Sequence, residues 1–232
     1  MNKCLNLAMS WFRQTKSILR KDLQIEWRTR FAINMVIAFV VASLMLILFT
    51  IRADQLDPIP RSALVWIIIL FASLSTLSRS FLTETDKRTY DLLKIYSAGK
   101  GSPVFSGKLI NNYLFSLAVN IITFTLYLFL VNLSIVSWPA FLVILFLGTA
   151  GISGVSTLVA AIVSQADRKG AIFSILSIPL FVPMILLLTD LTKVAFVSAE
   201  LSTETQSLWA LVGFVGVMVT AGSILFDYIW EE

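Results

Sequence analysis

Residues 97–109 read SAGKGSPVFSGKL, and two chemistries compete for them. Two Gly-Lys pairs beside a glycine-rich run resemble the loop with which an ATPase wraps phosphate in backbone N–H groups. That loop requires four residues between its first glycine and the Gly-Lys pair, then a Ser or Thr for magnesium, and it follows a strand. Here five residues separate Gly101 from Gly107, Lys108 is followed by Leu109, and the preceding residues 79–96 are charged and helix-like. The stretch therefore reads as a hinge. Ala98, Gly99, Gly101 and Pro103 break a helix and turn the chain toward an apolar run, with Lys100 and Lys108 as membrane-face anchors.

The sequence on either side explains why a hinge belongs there. Of 232 residues, 57% are hydrophobic and 14% charged, whereas a soluble domain carries roughly 25% charged residues. The apolar residues gather into six runs, about 31–51, 63–82, 109–131, 139–163, 171–189 and 208–230. At about 1.5 Å per helical residue, such runs approach or exceed the roughly 30 Å of a hydrocarbon core. Apart from Arg79 and Asp227 near two run ends, they hold no charge. None alternates polar with apolar, as a membrane-barrel strand would. The expected fold is an all-α integral membrane protein: one permease domain over 1–232 with six transmembrane helices.

Cations set the expected orientation. Lys3, Arg13, Lys16, Arg20, Lys21, Arg28 and Arg30 precede the first run. Arg79, Lys87, Arg88, Lys94, Lys100 and Lys108 fall in the second loop, and Arg168 and Lys169 in the fourth. These fifteen share one side, against Arg52, Arg61 and Lys193 on the other. The positive-inside rule then puts both termini in the cytoplasm. The net charge of +4 is thereby a statement about topology, and no nucleic-acid partner is needed. The first run begins only at Phe31 and is too long for a signal-peptide core, so an uncleaved first span is expected. The single Cys4 reads as an ordinary cytoplasmic thiol.

Residues 1–30 place Phe12, Leu19, Leu23 and Trp27 near one side of a helix and Arg13, Arg20 and Lys21 on others, which predicts an amphipathic helix lying on the bilayer. In the second loop, Phe81, Thr85, Thr89, Leu92 and Tyr96 share a helical stripe, with Glu84 four residues ahead of Arg88. The fourth run carries Gly148, Gly151 and Gly154, small residues that let membrane helices approach closely. Pro179 and Pro183 predict a bent fifth helix. An acidic outer loop is expected over 190–207, with Asp190, Glu200 and Glu204.

Catalytic chemistry finds little to work with. The chain has no histidine and one cysteine, so His-based triads, His metal ligands and thiolate clusters are excluded, and no metal site is expected. No pair of carboxylates lies inside a run, which argues against an ion-coupled carrier. Asn34, Asn111, Asn112, Asn120 and Thr123 read as helix-to-helix hydrogen bonds rather than a substrate site. Such a permease needs a motor on another subunit.

Four segments carry a resemblance: RKDLQIEWRTR (20–30), FLTETDKRTYDLL (81–93), GKLINNYLF (107–115) and LGTAGISGVSTLVAAIVSQADRKGAIFSILSIPLFVPMILL (147–187). The last joins a small-residue span, a short Gln-Ala-Asp-Arg loop and a span with two prolines four apart. Together they resemble the CcmB family, a membrane component of the ABC-type heme exporter in bacterial cytochrome c maturation. The resemblance implies an inner-membrane permease that pairs with an ATP-binding cassette ATPase, a heme-handling membrane subunit and a heme chaperone. ATP hydrolysis on the partner would then drive heme delivery or chaperone release, and this chain would not be an enzyme.

Heme iron takes His, Cys, Met or Tyr axially; with no His and its only Cys expected on the cytoplasmic side, this chain is not expected to bind heme strongly by itself, and Met and Tyr remain the open ligand choices. Heme is then a transported or a handled substrate rather than a resident cofactor. The ATPase-docking surface is expected on the second-loop helix, with Glu84, Asp86, Arg88 and Asp91 as polar contacts and Phe81, Leu92 and Leu93 as the packing side. The same residues would otherwise lie along the headgroups. Two other functions share this architecture: a permease exporting lipid, polysaccharide or drug, and a non-conducting scaffold for heme-handling subunits.

Overall fold

A computed structural model of the chain describes residues 2–50, 56–77, 93, 95, 97, 101–164, 169–197 and 204–231. Among them are seven α-helices and no strand: α1 (Asn2–Thr29), α2 (Phe31–Thr50), α3 (Pro58–Leu77), α4 (Ser102–Val131), α5 (Trp138–Val163), α6 (Lys169–Val197) and α7 (Thr205–Glu231). Five stretches are long and apolar enough to cross a membrane: Ile33–Thr50, Ser102–Val131, Trp138–Val163, Ile172–Val197 and Thr205–Tyr228. Pro58–Leu74 of α3 is a shorter apolar stretch, and residues 78–82 of the expected second span lie outside the described residues.

The bundle is organised around α5, which touches α3, α4, α6 and α7. Its apolar window is 72% buried, against 17% for α2 and for α7, so the glycine-rich helix is the centre and those two are the rim. Small side chains explain the position: a helix packed against four others must let several backbones come close.

Helix ends obey local chemistry. Arg30 alone separates α1 from α2 and takes a left-handed φ of 50° at that corner. Pro103 and Pro139 sit in the first turns of α4 and α5, where a missing N–H breaks no intrahelical bond. Asn132 closes α4 with a φ of 53°, the left-handed stop that Asn tolerates.

Two boundaries differ most from expectation. α4 begins at Ser102, seven residues ahead of the expected third span, so Gly107 and Lys108 lie inside a helix and the elbow ends near Gly101. At about 45 Å, α4 is longer than the hydrocarbon core. α6 runs through Pro179 and Pro183 and past Asp190 to Val197, which removes eight residues from the expected outer loop. The apolar run stops at Asp190, but packing continues. Leu191, Thr192, Val194 and Ala195 are buried, Thr192 Oγ1 accepts from Trp66 Nε1 at 2.9 Å, and the Ala195 carbonyl accepts from the Val136 and Ser137 N–H groups.

Candidate coupling junction

Both ends of the chain converge on the glycine-rich elbow. α1 lies along the first turns of α4, burying Thr15, Ile18 and Asp22. Gly107 sets the approach, because a Cβ there would stand 3.0 Å from Ile18 Cγ2 and 3.2 Å from the Thr15 carbonyl oxygen. Thr15 Oγ1 donates to the Pro103 carbonyl at 3.3 Å, and Trp11 Nε1 donates to Ser102 Oγ at 3.2 Å.

Lys108 corrects an expectation. It is 2% exposed and places Nζ 3.2 Å from Asp22 Oδ2, so it is an interior tie between α4 and α1 rather than a headgroup anchor. An ammonium is tolerated out of water only with a partner, and α1 supplies the carboxylate. Lys21 also lies 3.4 Å from Asp22 Oδ1. The face of α1 against α4 is therefore Thr15–Ile18–Asp22. The apolar stripe read from the sequence lies to one side, with Leu19 and Leu23 half-buried and Phe12 67% exposed.

From the other side comes the end of α7. Phe105 packs on Phe226 with ring centroids 5.6 Å apart, and Phe226 on Trp230 at 5.1 Å. Trp230 Nε1 donates to Ser97 Oγ at 3.3 Å. Gly101 and Gly222 make room for this stack: a Cβ on Gly101 would meet Asp227, Phe226 and Trp230 at 2.9–3.0 Å, and one on Gly222 would overlap the Phe105 ring. Gly101 and Gly107, two of the glycines that resembled a phosphate loop, are sites of close helix approach.

A polar file leads away from the junction. Asn112 Nδ2 donates to Thr157 Oγ1 at 2.8 Å and Asn120 Nδ2 to Thr149 Oγ1 at 2.9 Å. In antiparallel helices this puts Ser116 and Ser153, each midway between two rungs, at the same level. The oxygens Asn111 Oδ1, Ser116 Oγ and Asn120 Oδ1 are buried without a hydrogen-bond partner among the described residues. Tyr127 ends the file by donating to the Arg61 carbonyl at 2.8 Å. The opposite side of α5 carries the glycines. Gly148 abuts the Trp66 ring and Leu188, Gly151 abuts Met184, and Gly154 faces Met218 at a looser 3.4 Å.

Of the expected docking residues, Leu93 is helical and buried. Phe81, Glu84, Asp86, Arg88, Asp91 and Leu92 lie outside the described residues. Pro179 and Pro183 are interior residues of α6. Sequence reading passed over Asp22, Ser97, Phe226 and Trp230. The one signal in the sequence was Lys108 itself, a cation abutting an apolar run and in need of a counter-charge. The described residues on either side of the elbow, Ser97 and Gly101 to Lys108, are thus held by α7 and by α1.

Comparison with curated proteins gives no match. The family model described as CcmB protein matches residues 13–224, which takes in α2 to α6 whole, most of α1 and α7, and the elbow. The chain therefore belongs to the CcmB family, the membrane subunits of the heme exporter that serves cytochrome c maturation.

Proposed function

We propose that this subunit works as the mechanical half of an ABC-type heme exporter, receiving movement from a partner ATPase at the elbow and passing it along α4. One observation carries the reading. The segment after the expected docking helix is clamped from both chain ends, by Asp22 on Lys108 and by Trp230 on Ser97. A push on that segment moves α1, α4 and α7 together. In this reading the chain crosses the bacterial inner membrane six times with both termini cytoplasmic. The ATPase docks on Phe81, Glu84, Asp86, Arg88, Asp91, Leu92 and Leu93, and heme is ligated by a neighbouring subunit, because this chain has no His.

The test separates docking from transmission. Charge reversal E84K/R88E lowers co-purification of the ATPase at unchanged membrane abundance; unchanged association removes the docking surface. S97A/W230F leaves association intact and lowers ATP-dependent release of the heme chaperone. Release at the unaltered rate removes the transmission step. Loss of c-type cytochromes on deletion separates the heme exporter from a lipid, polysaccharide or drug exporter.

A further inference from the structure

Folding sorts the charges of α1 in a way composition does not reveal. At about 100° per residue, Arg13, Lys16, Ser17, Arg20, Gln24 and Arg28 fall within about 120° of arc, and all six are exposed. Thr15, Ile18 and Asp22 occupy the opposite side, against α4. The two acids of the helix both turn toward the bundle: Asp22 is buried on Lys108, and Glu26 is half-buried. No exposed acid remains among the described side chains of α1. The charges of its outer face are all cationic, and the face is bordered by the exposed ring of Phe12.

The start of α2 fixes the level of this face. Arg30 turns the corner between the two helices, and the stretch long and apolar enough to cross a membrane starts at Ile33. The end of α1 therefore stands at the height of lipid phosphates. The packing partner of α1 is the first turns of α4, the portion of a helix of about 45 Å that exceeds the hydrocarbon thickness.

We propose that the outer face of α1 binds the phosphate headgroups of anionic phospholipids through Arg13, Lys16 and Arg20, with Phe12 inserted at the acyl boundary. Charge and height identify the occupant. Clusters of cations beside a membrane span attract anionic lipid, and an aromatic ring next to a basic stripe is the pattern of a helix lying in the interface. The effect is to pin α1, and with it the Asp22–Lys108 tie, to the membrane plane.

The purified full chain is reconstituted in phosphatidylcholine bilayers carrying traces of spin-labelled phosphatidylglycerol or spin-labelled phosphatidylcholine. Electron paramagnetic resonance then gives the share of each label held at the protein surface. The unaltered chain prefers phosphatidylglycerol several-fold, and molar salt lowers the preference. R13Q/K16Q/R20Q brings it close to parity, while R13K/R20K, which keeps the charge, retains it. The single variants R13Q, K16Q and R20Q, each stepping the preference down, serve if the triple variant does not fold.

A preference unchanged in the triple variant overturns the proposal. An unchanged preference combined with lost co-purification of the ATPase overturns it too and assigns the face to that partner. The readout uses no ATPase, so it fails or holds independently of the coupling mechanism above.

Discussion

Lys108 Nζ and Asp22 Oδ2 stand 3.2 Å apart although 86 positions separate them in sequence. The lysine is almost wholly enclosed and the carboxylate nearly so. Removing one partner of such a pair leaves an uncompensated charge and costs roughly 3–5 kcal/mol, while replacing both with apolar residues of similar size is often neutral. D22N is therefore expected to lower the unfolding midpoint of the purified protein strongly, and D22L/K108M to recover most of the loss. A double variant as unstable as D22N shows that the pair is not what holds α1 to α4.

The glycines of α5 differ sharply in what a methyl group would meet. At Gly148 a Cβ would lie 2.6 Å from Trp66 Cη2 and 2.9 Å from Leu188 Cδ2, at Gly154 it would lie 3.4 Å from Met218 Cβ, and at Gly213 of α7 nothing stands within 4 Å. Overpacking costs about 1–3 kcal/mol, whereas an unhindered Gly→Ala change in a helix gains up to about 1 kcal/mol. Gly148→Ala should lower the thermal midpoint in detergent, with Gly154→Ala and Gly213→Ala neutral or stabilising. Equal effects at all three would show that backbone freedom, not contact, governs these positions.

Much of the fold was legible because hydropathy reports the solvent a segment meets. Five of the six runs correspond to helices that can span a membrane, and the small residues of 148–156 belong to the most enclosed helix. Hydropathy does not report where a helix stops. Asp190 ended a run, yet α6 continues because Leu191 and Ala195 still have neighbours to pack on. Nor does it report pairing. Lys108 looked like a membrane-face anchor, since nothing in its own segment could name Asp22 as its partner, and Ser97 finds Trp230 across 133 positions. In α1 the amphipathic pattern was visible, but its helix-facing side proved to be a mixed one, because Ile18 between Thr15 and the Asp22 salt bridge, rather than a leucine stripe, meets α4.

The two rungs between α4 and α5 are expected to contribute modestly. Interhelical hydrogen bonds within membranes average about 0.6 kcal/mol and reach about 1.7 in double-mutant cycles. Thr157 Oγ1 and Thr149 Oγ1 also donate to carbonyls of their own helix, those of Ser153 and Leu145, each at 2.6 Å, so each hydroxyl stays partly satisfied when its asparagine is lost. A cycle of N112A, T157A and the double variant, read by unfolding in detergent, should give a coupling in that range. A coupling of zero would remove the rung at Asn112 and Thr157.

The clamp from α7 separates stacking from hydrogen bonding at one residue. Trp230 is fully buried, packs on Phe226, and donates Nε1 to Ser97 Oγ. W230F keeps a ring in the stack and loses the donor, a change of about 0.5–1.5 kcal/mol. W230A empties the site, for about 3–5 kcal/mol. Unfolding midpoints should rank the unaltered protein first, W230F slightly below and W230A well below. Transmission through the elbow requires a different ranking for activity. If Ser97 is the point of attachment, W230F and W230A both lose ATP-dependent chaperone release, since each frees the elbow from α7. Activity that tracks stability instead, with W230F near the unaltered level, makes the clamp a packing feature and leaves the Lys108–Asp22 tie to hold the elbow to a chain end.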